Sequence, residues 1–352
     1  MTGGLSARSV AAAIRSVVEG RSLSREDAAA VMGAIMDGDA TPAQIGALLA
    51  GLRAKRETTD EIVGFARAMR ARSVRVECER SPLLDTCGTG GDAAGTLNIS
   101  TGAAFVVAAA GLAVAKHGNR AASGACGSAD VLEALGVRLD LSPCDVGRCI
   151  DLVGIGFLYA PSHHPAMRHA AQPRREIGIR TVFNVLGPLT NPAGASLQVI
   201  GVFDRSLCAT LAEALADLGA ERAMVVHGMD GLDEVSTIGP TCVSHLRHGA
   251  VETTTITPDD LGLPAATRED LRSGRTPAES AALLRAVLEG ERGPRRDVIA
   301  ANAAAGLIVG DGARTWMDAV RRASDVLDTG AAARVLDRLI AFTKGCKDER
   351  PL

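Results

Sequence analysis

Residues 83–118 read LLDTCGTGGDAAGTLNISTGAAFVVAAAGLAVAKHG, and this stretch decides the fold. It holds a short apolar run, a glycine-rich loop, an alanine-rich helical run, a second apolar run and the start of a second glycine-rich loop. An apolar run followed by a glycine loop and a helix is typical of parallel sheets. The stretch therefore predicts two parallel strands, each ending in a glycine loop.

The same alternation continues toward the C-terminus. Further strand-like apolar runs are predicted at 137–141, 155–160, 197–203 and 223–227. A helix over 206–218 separates the last two, residues 242–258 read as a hairpin, and the chain is again helical from Pro277 onward. Strands alternating with helices predict an α/β domain over 80–345, with a mostly parallel central sheet covered on both faces.

The N-terminal part has a different pattern, made of helix caps. Ser24 precedes Asp27, Thr58 precedes Glu61, and residues 41–44 combine an N-cap Thr, a Pro at the first helical position and a capping-box Gln. These signals predict a small all-helical domain over 1–72. Its apolar stripes exceed what so small a module needs, so we expect it to pack on the rest of the chain or on a second subunit.

Composition excludes several classes of protein. Of the 352 residues 47% are hydrophobic, but the net charge is only −3 and basic runs are missing, so we expect no nucleic-acid partner. We also expect no membrane span, because every long apolar run is interrupted by charges or loops. The eight cysteines are scattered without a C-x-x-C pair, and the N-terminus lacks the pattern of a signal peptide. Free thiols and a cytoplasmic location are expected.

The first glycine loop has the features of a phosphate cradle. Gly88, Gly90 and Gly91 allow the backbone to approach a ligand, and the helix that opens at residues 98–101 favours an anion at its N-terminus. The Ser100 hydroxyl suits a phosphate-bound Mg²⁺. The loop matches neither the P-loop nor the dinucleotide fingerprint. An ordinary tight turn capped by Asn remains the alternative.

The second glycine loop adds cations. Lys116 and Arg120 flank a backbone that continues through Ser123, Gly124 and Ser128, and cations with amides suit a diphosphate or a 5′-phosphate. Asn119 is a neutral polar group that can address a second substrate. The alternative is a solvated loop with surface cations. Together, the two loops predict a ligand with phosphates at two ends.

An acidic turn follows the strand predicted at 223–227. Asp230, Asp233 and Glu234 lie just beyond its carboxyl end, which is where an open α/β sheet binds its ligand. Carboxylate oxygens suit Mg²⁺ shared with substrate phosphates. A solvated acidic turn is the alternative.

A segment rich in His and Arg completes the candidate site. The histidines of 163–169 lack a carboxylate at ligand spacing, so we interpret the segment as lining a substrate rather than a metal. Arg174, Arg175 and Arg180 can pair with a substrate carboxylate, although a helix-surface ion pair with Glu176 is equally open. The lack of a Ser/His/Asp or Cys/His constellation suits displacement of pyrophosphate, which needs cations and Mg²⁺ rather than a covalent nucleophile.

A family resemblance runs through six segments, at 85–92, 98–101, 116–124, 127–136, 180–192 and 226–236. Together they resemble the anthranilate phosphoribosyltransferases, of the nucleoside phosphorylase/phosphoribosyltransferase superfamily, over about residues 8–343. The resemblance implies transfer of phosphoribosyl from phosphoribosyl pyrophosphate (PRPP) to the amino group of anthranilate, in tryptophan biosynthesis. It also implies a homodimer joined through the helical domain, helices near 170–192 that complete that domain, and a requirement for Mg²⁺.

The resemblance also assigns residues. PRPP is expected to contact Gly88, Gly91, Asp92, Thr96, Asn98, Ile99, Ser100, Thr101, Lys116, His117, Gly118, Asn119, Arg120, Ala121, Ala122, Ser123, Gly124 and Ser128. Ser100, Asp233 and Glu234 are expected to hold two Mg²⁺ ions per monomer. Gly88, Asn119 and Arg174 are expected to line the anthranilate site, and Lys116, Asn119 and Arg174 to be catalytic.

The chain departs from the family pattern at two places. Pro173 stands where Val usually precedes the Arg, which affects the position of Arg174, and Ser280-Ala281 replaces a usual Asn-Ala. Three other functions are weighed against the resemblance. A pyrimidine-nucleoside phosphorylase is disfavoured by the Gly-Asn-Arg at 118–120, a phosphate-metabolite sensor by the paired carboxylates at 233–234, and a nicotinamide dehydrogenase by the missing fingerprint.

Overall fold

The computed structural model describes residues 3–90, 95–121 and 126–346, and their side chains from Val10 onward. The helices are α1 Gly3–Val18, α2 Arg25–Asp37, α3 Pro42–Lys55, α4 Thr59–Arg70, α5 Ile99–Ala109, α6 Ser128–Ala134, α7 Pro143–Val153, α8 Ala160–His163, α9 Arg168–Ile177, α10 Phe183–Leu186, α11 Leu207–Asp217, α12 Pro258–Leu261, α13 Pro277–Leu288, α14 Pro294–Val309, α15 Trp316–Asp328 and α16 Ala331–Gly345. The strands are β1 Leu83–Gly88, β2 Ala113–Gly118, β3 Ile155–Tyr159, β4 Leu197–Gly201, β5 Arg222–Gly228, β6 Thr241–Arg247 and β7 Ala250–Ile256.

Within these ranges, the strands form one sheet in the order β3-β2-β1-β4-β5-β6-β7. The first five in that order are parallel, whereas β6 and β7 are antiparallel and form the predicted hairpin. The chain runs from β1 outward to β2 and β3, then returns to β4 on the other side of β1. Open α/β sheets bind ligands at the carboxyl ends of strands beside such a reversal. The fold therefore predicts a ligand site at the carboxyl ends of β1 and β4.

The N-terminal helices begin where the cap signals predicted. The Ser24 side chain accepts a hydrogen bond from the backbone N–H of Asp27, and Thr41 and Thr58 form capping boxes with Gln44 and Glu61. Each box satisfies two backbone donors that a helix terminus leaves without a partner. The helical domain and the larger α/β domain are thus both present.

The side chains of β4 and β5 alternate between two hydrophobic cores. Val199 and Met224 point into a core shared with α5 and α14, whereas their neighbours Ile200 and Val225 point into a core shared with α11 and the N-terminal helices. Helices α9 and α10 contribute to this second core, with α9 packing on α2 and α3. The helical domain therefore covers one face of the sheet together with α11.

One predicted strand is wrong. Residues 137–141 have the apolar pattern of a strand, but they lie outside the sheet. Arg138 donates its backbone N–H to Thr343 Oγ1 and its guanidinium to the Cys346 carbonyl, so this segment bonds to the end of α16 instead of a neighbouring strand. Its apolar residues are buried against helices, a setting that periodicity alone cannot distinguish from a sheet.

Among the described residues, no helix is long and apolar enough to cross a membrane.

Candidate active site

The acidic turn packs directly on the carboxyl ends of β1 and β4. Gly88 and Gly201 lie opposite each other in the parallel register. A Cβ added at Gly201 would lie 1.5 Å from the Asp233 carbonyl oxygen, and one added at Gly88 would lie 2.5 Å from Asp233 Oδ2. The backbone N–H of Gly90 donates to that same Oδ2 at 2.8 Å. Glycine at both strand ends therefore lets the turn reach the first glycine loop.

Glu234 lies at the N-terminus of α5. Its Oε1 accepts the backbone N–H of Ser100 at 3.2 Å, a favourable position for a carboxylate because it faces the positive end of the helix dipole. Asn98 is the N-cap residue, but its side chain makes no cap bond and donates instead to the Cys126 carbonyl at 3.0 Å. Asn98 thus ties the first loop to the second.

The side chain of Lys116, at the start of the second glycine loop, contacts residues on both sides of the first. This side chain is buried, and Nζ donates to the Thr86 carbonyl at 2.6 Å and to Ser100 Oγ at 3.4 Å. Burial lowers the pKa of Lys116, while the charges of Asp85 and Glu234 oppose that shift. The ammonium group is therefore held next to the proposed metal residues Ser100 and Glu234.

Asp85 is a buried counter-ion that the sequence reading did not single out. It is 0% exposed, and it accepts the backbone N–H of His117 at 3.1 Å and Nδ2 of Asn191 at 2.8 Å. Asn191 also donates to the Ala115 carbonyl at 2.8 Å, so its amide joins β1 and β2. Burial raises the pKa of Asp85 to about 6, with Lys116 and the two donors acting against it.

The second loop is organised by Asp130 of α6. Its Oδ2 accepts the backbone N–H groups of Ala121 and Gly127, both at 2.9 Å. Arg120, expected to contact phosphate, forms ion pairs with Asp130 at 3.0 Å and Glu133 at 2.8 Å. An anion at Arg120 would therefore compete with two carboxylates.

The remaining predicted PRPP residues fall into three groups. Asn119 accepts the Arg120 backbone N–H through Oδ1 at 2.8 Å, and Ser128 Oγ donates to the Asn119 carbonyl at 3.2 Å. Thr96 forms a bridge with Arg272. The side chains of Ile99 and Thr101 are buried, and their backbone N–H groups donate to the carbonyls of Leu97 and Asn98. Gly91, Asp92, Ala122, Ser123 and Gly124 lie outside the described residues.

Two histidines face each other beside the second loop. The rings of His117 and His164 have centroids 5.1 Å apart, and each Nε2 is buried without a hydrogen-bond partner among the described residues. Burial lowers the pKa of His117 to about 3 and that of His164 to about 4, so both rings are neutral near pH 7. Local sequence patterns did not indicate this pair, because His117 lies at the end of β2 whereas His164 directly follows α8.

Arg174 and Arg180 both lie over aromatic rings. Arg174 Cζ is 4.9 Å from the ring centroid of Phe183, and burial lowers the pKa of Arg174. Arg180 Cζ is 4.4 Å from the ring centroid of Phe203. Neither contact involves Glu176, whose carboxylate accepts a hydrogen bond from Gln172 at 2.8 Å.

Comparisons with known proteins cover nearly the whole chain. Residues 80–333 match the glycosyl transferase family, a/b domain, and residues 11–73 match the helical bundle domain of that family. The anthranilate phosphoribosyltransferase of Symbiobacterium thermophilum is 54% identical over 96% of this chain and 99% of its own length. That of Moorella thermoacetica is 55% identical over 95% and 98%.

The chain belongs to the anthranilate phosphoribosyltransferase family. Two solved members show how closely the fold agrees. The Thermus thermophilus enzyme superimposes with a TM-score of 0.90 at 46% identity, covering 95% of this chain and 99% of that one. The Saccharomyces cerevisiae enzyme in complex with PRPP and Mg superimposes with a TM-score of 0.88 at 28% identity, over 96% and 99%.

The structure shows where the two departures from the family pattern, at Pro173 and Ser280, lie. Pro173 is buried inside α9, and Arg174 still lies over Phe183 directly beyond it. Proline removes one backbone donor from the helix but fixes the chain just before the arginine. The other departure, Ser280, has its Oγ 3.4 Å from the Gly274 carbonyl, and its side chain also forms a hydrogen bond with Cys126 in the second glycine loop.

The family's metal fits the donor set at the acidic turn. Hydroxyl and carboxylate oxygens of Ser100, Asp233 and Glu234 are the hard ligands that Mg²⁺ takes, and this ion is usually held by one or two carboxylates plus substrate phosphates. Within 3–90, 95–121 and 126–346, no group of three or more His, Cys, Asp or Glu forms a complete metal cage. A partial protein site completed by substrate is consistent with both observations.

Sequence reasoning also missed Asn302 of α14. Its buried amide accepts the Val235 backbone N–H at 2.8 Å and donates to the Val235 carbonyl at 2.9 Å. This pair of bonds fixes the backbone just after the two carboxylates. No local pattern predicts such a role, because Asn302 lies 67 positions away along the chain.

Proposed function

We propose that this enzyme transfers the phosphoribosyl group of PRPP to the amino group of anthranilate. The products are N-(5-phosphoribosyl)anthranilate and pyrophosphate, and the reaction is the second step of tryptophan biosynthesis. The 54% identity to an anthranilate phosphoribosyltransferase along 96% of the chain carries this conclusion. It also favours the transferase over a nucleoside phosphorylase, a metabolite sensor or a dehydrogenase.

The pyrophosphate end of PRPP is proposed to lie between the first glycine loop and the acidic turn. Ser100, Asp233 and Glu234 would hold two Mg²⁺ ions per monomer, which supply charge neutralisation to the leaving group. Lys116 adds a buried cation beside Ser100, where a low local dielectric strengthens its effect. Residues 98–101 would then bind phosphate at the N-terminus of α5, with the N–H groups of Ile99, Ser100 and Thr101 exchanging their present acceptors for the ligand.

The second glycine loop is proposed to bind the rest of PRPP. Residues 116–124 and Ser128 supply amides and hydroxyls, and Asp130 already orients part of that backbone. Arg120 would exchange one carboxylate partner for a phosphate when the substrate binds. The contacts at Gly88, Gly91, Asp92 and Thr96 remain part of the proposal.

Anthranilate is proposed to bind beside Gly88, Asn119 and Arg174. The Arg174 guanidinium pairs with the substrate carboxylate, and Asn119 lies between the two substrates. The S. cerevisiae relative has also been solved with 4-fluoroanthranilate, at 27% identity and a TM-score of 0.86.

The mechanism we propose is a dissociative displacement at the ribose C1. The anthranilate amine is neutral near pH 7, so a strong general base is not required. Catalysis then rests on positioning and on stabilising the leaving group. Closure of the helical and α/β domains over the substrates would exclude water that otherwise hydrolyses the activated ribose.

We also propose a homodimer joined through the helical domain. Val18 of α1 is 68% exposed, and Ala47, Ala50 and Ala54 form an exposed small-residue face on the adjacent α3. Small side chains allow close helix approach, and burying Val18 would be favourable. A cytoplasmic location is proposed because all eight cysteines are free thiols.

The function is tested by anthranilate fluorescence. Purified folded protein should consume the fluorescence when PRPP and Mg²⁺ are both added, and it should not do so when either is omitted. A folded protein that leaves the fluorescence unchanged would contradict the proposed reaction.

A further inference from the structure

A cavity of about 420 Å³ lies between the helical domain and the α/β domain. Arg53 of α3 lines it together with Arg56 and Glu57 from the connection between α3 and α4. Its opposite wall comes from the residues before α10 and from the connection between β4 and α11. Apart from Arg180, whose side chain can also pair with a substrate carboxylate, none of these residues is among those proposed for PRPP, Mg²⁺ or anthranilate.

The cavity has an apolar floor and an aromatic wall. The floor is formed by Ile62, Val182, Val185 and Leu207. On the wall, the Phe203 ring is covered by the Arg180 guanidinium, with Arg180 Cζ 4.4 Å from the ring centroid. Cavities of this size are typical binding sites for small molecules, and in this one polar and charged lining residues outnumber the apolar ones.

Two guanidinium groups at the cavity have no close acidic partner. Among the described residues, neither Arg53 nor Arg56 makes a side-chain hydrogen bond or an ion pair within 4.0 Å. Arg53 and Arg56 act on Glu57 and Asp204 only through longer-range charge. A carboxylate ligand would therefore gain contacts that the protein does not already make to itself.

The cavity also holds buried polar atoms without partners. Thr181 is 5% exposed, and its Oγ1 has no hydrogen-bond partner among the described residues. The same holds for Glu57 Oε1, and burial raises the pKa of that carboxyl. Unpartnered buried polar atoms cost free energy, so they indicate positions that a bound molecule can satisfy.

Arg56 is held in a backbone conformation that favours glycine. Its φ is +69°, and it is one of three residues other than glycine with positive φ, alongside His248 and Asp311, among the described residues. This conformation costs a side-chain-bearing residue on the order of 1 kcal/mol. An unpaired arginine thus occupies a strained position at the mouth of the cavity.

We propose that this inter-domain cavity is a second ligand site for a small aromatic carboxylate. Arg53 and Arg56 bind the carboxylate, and the ring lies on the apolar floor beside Phe203. Thr181 Oγ1 supplies a further hydrogen bond. Because residues of both domains would contact the ligand, its binding would tie the helical domain to the α/β domain.

Binding of 2-naphthoate, measured by isothermal titration calorimetry, tests the proposal. The variants are Arg56→Gly, which also relieves the positive φ, and Arg53→Gln, with Arg314→Gly as the matched control at an exposed position far along the chain. Each cavity variant should weaken one binding event by at least about 10-fold, as expected for loss of a charge-assisted hydrogen bond. The control should bind as the unaltered protein does.

Three results would overturn the site. One is no binding of 2-naphthoate by the unaltered protein. Another is an unchanged isotherm in both cavity variants, which would place all binding elsewhere. The third is inorganic phosphate that binds more tightly than 2-naphthoate and loses that binding in Arg56→Gly, since the ligand class would then be wrong. Thermal melting checks the fold, and Arg53→Gln retains the test if Arg56→Gly does not fold.

Discussion

Replacing Asp85 with Asn should change how stability depends on pH. The carboxyl is fully buried, and its pKa in the folded state is about 6, against 3.8 when exposed. A raised folded-state pKa means that the folded protein binds the proton more tightly than the unfolded chain. The contribution of Asp85 is therefore fully present below pH 3.8 and is lost as the pH rises through 6.

The size of this effect follows from the pKa difference. A shift of about two units corresponds to about 3 kcal/mol, of which about 2 kcal/mol falls between pH 4 and pH 7. Asn cannot titrate, so Asp85→Asn lacks this term. His117 and His164 titrate in the opposite direction, because their lowered pKa values favour the folded state as the pH rises. Their contribution is common to both proteins and largely cancels in the difference.

Urea unfolding of both proteins at equal concentration, at pH 4, 5, 6 and 7, measures that difference. The unaltered protein should lose about 2 kcal/mol relative to Asp85→Asn between the two ends of the series. A difference that stays constant within about 0.5 kcal/mol would refute the buried, proton-binding Asp85. A difference in the free energy of unfolding that changes in the opposite direction with pH would refute the upward shift of the pKa of Asp85.

Three further changes have defined outcomes. Gly201→Ala should destabilise the fold by about 3 kcal/mol or more, because the added Cβ would lie 1.5 Å from the Asp233 carbonyl; a melting temperature equal to that of the unaltered protein would contradict the packing. Glu234→Gln should raise the Mg²⁺ concentration needed for half-maximal turnover about 10-fold or more, whereas an unchanged requirement would remove Glu234 from the metal site. Nuclear magnetic resonance of the ring nitrogens should show His117 and His164 neutral at pH 5.5, and a protonated ring at that pH would contradict their burial.

Local sequence signals predicted the elements but not every partner. The Thr41 and Thr58 capping boxes involve residues three positions apart, so they could be predicted from the sequence and are seen in the structure. The strand predicted at 137–141 was wrong, because its partner is the end of α16, some 200 positions away. Apolar character indicates burial there without indicating what provides it.

The residues of the candidate site differ in the same way, because some have a local sequence signal and others depend on partners that are distant along the chain. Gly88 and Lys116 could be selected from the sequence because glycine loops and cations are local features of phosphate-binding turns, and their contact with phosphate stays a prediction. The hydrogen bond from Asn191 to Asp85 joins residues 106 positions apart, and no local sequence pattern indicates that the Asn191 amide would make it. The facing rings of His117 and His164 depend on strand order in the same way. Residues proposed to contact a ligand were thus easier to select from the sequence than the residues that hold them in place.

Turnover of Lys116→Ala at saturating PRPP, followed by anthranilate fluorescence, tests the proposed chemistry most directly. Lys344→Ala, an exposed lysine on α16, serves as the matched control. Loss of the buried cation beside Ser100 should lower turnover by about 10²–10³-fold, the usual effect of removing one preorganised electrostatic group. The control should retain full turnover. Near-unaltered turnover in folded Lys116→Ala would contradict leaving-group stabilisation at the carboxyl ends of β1 and β2.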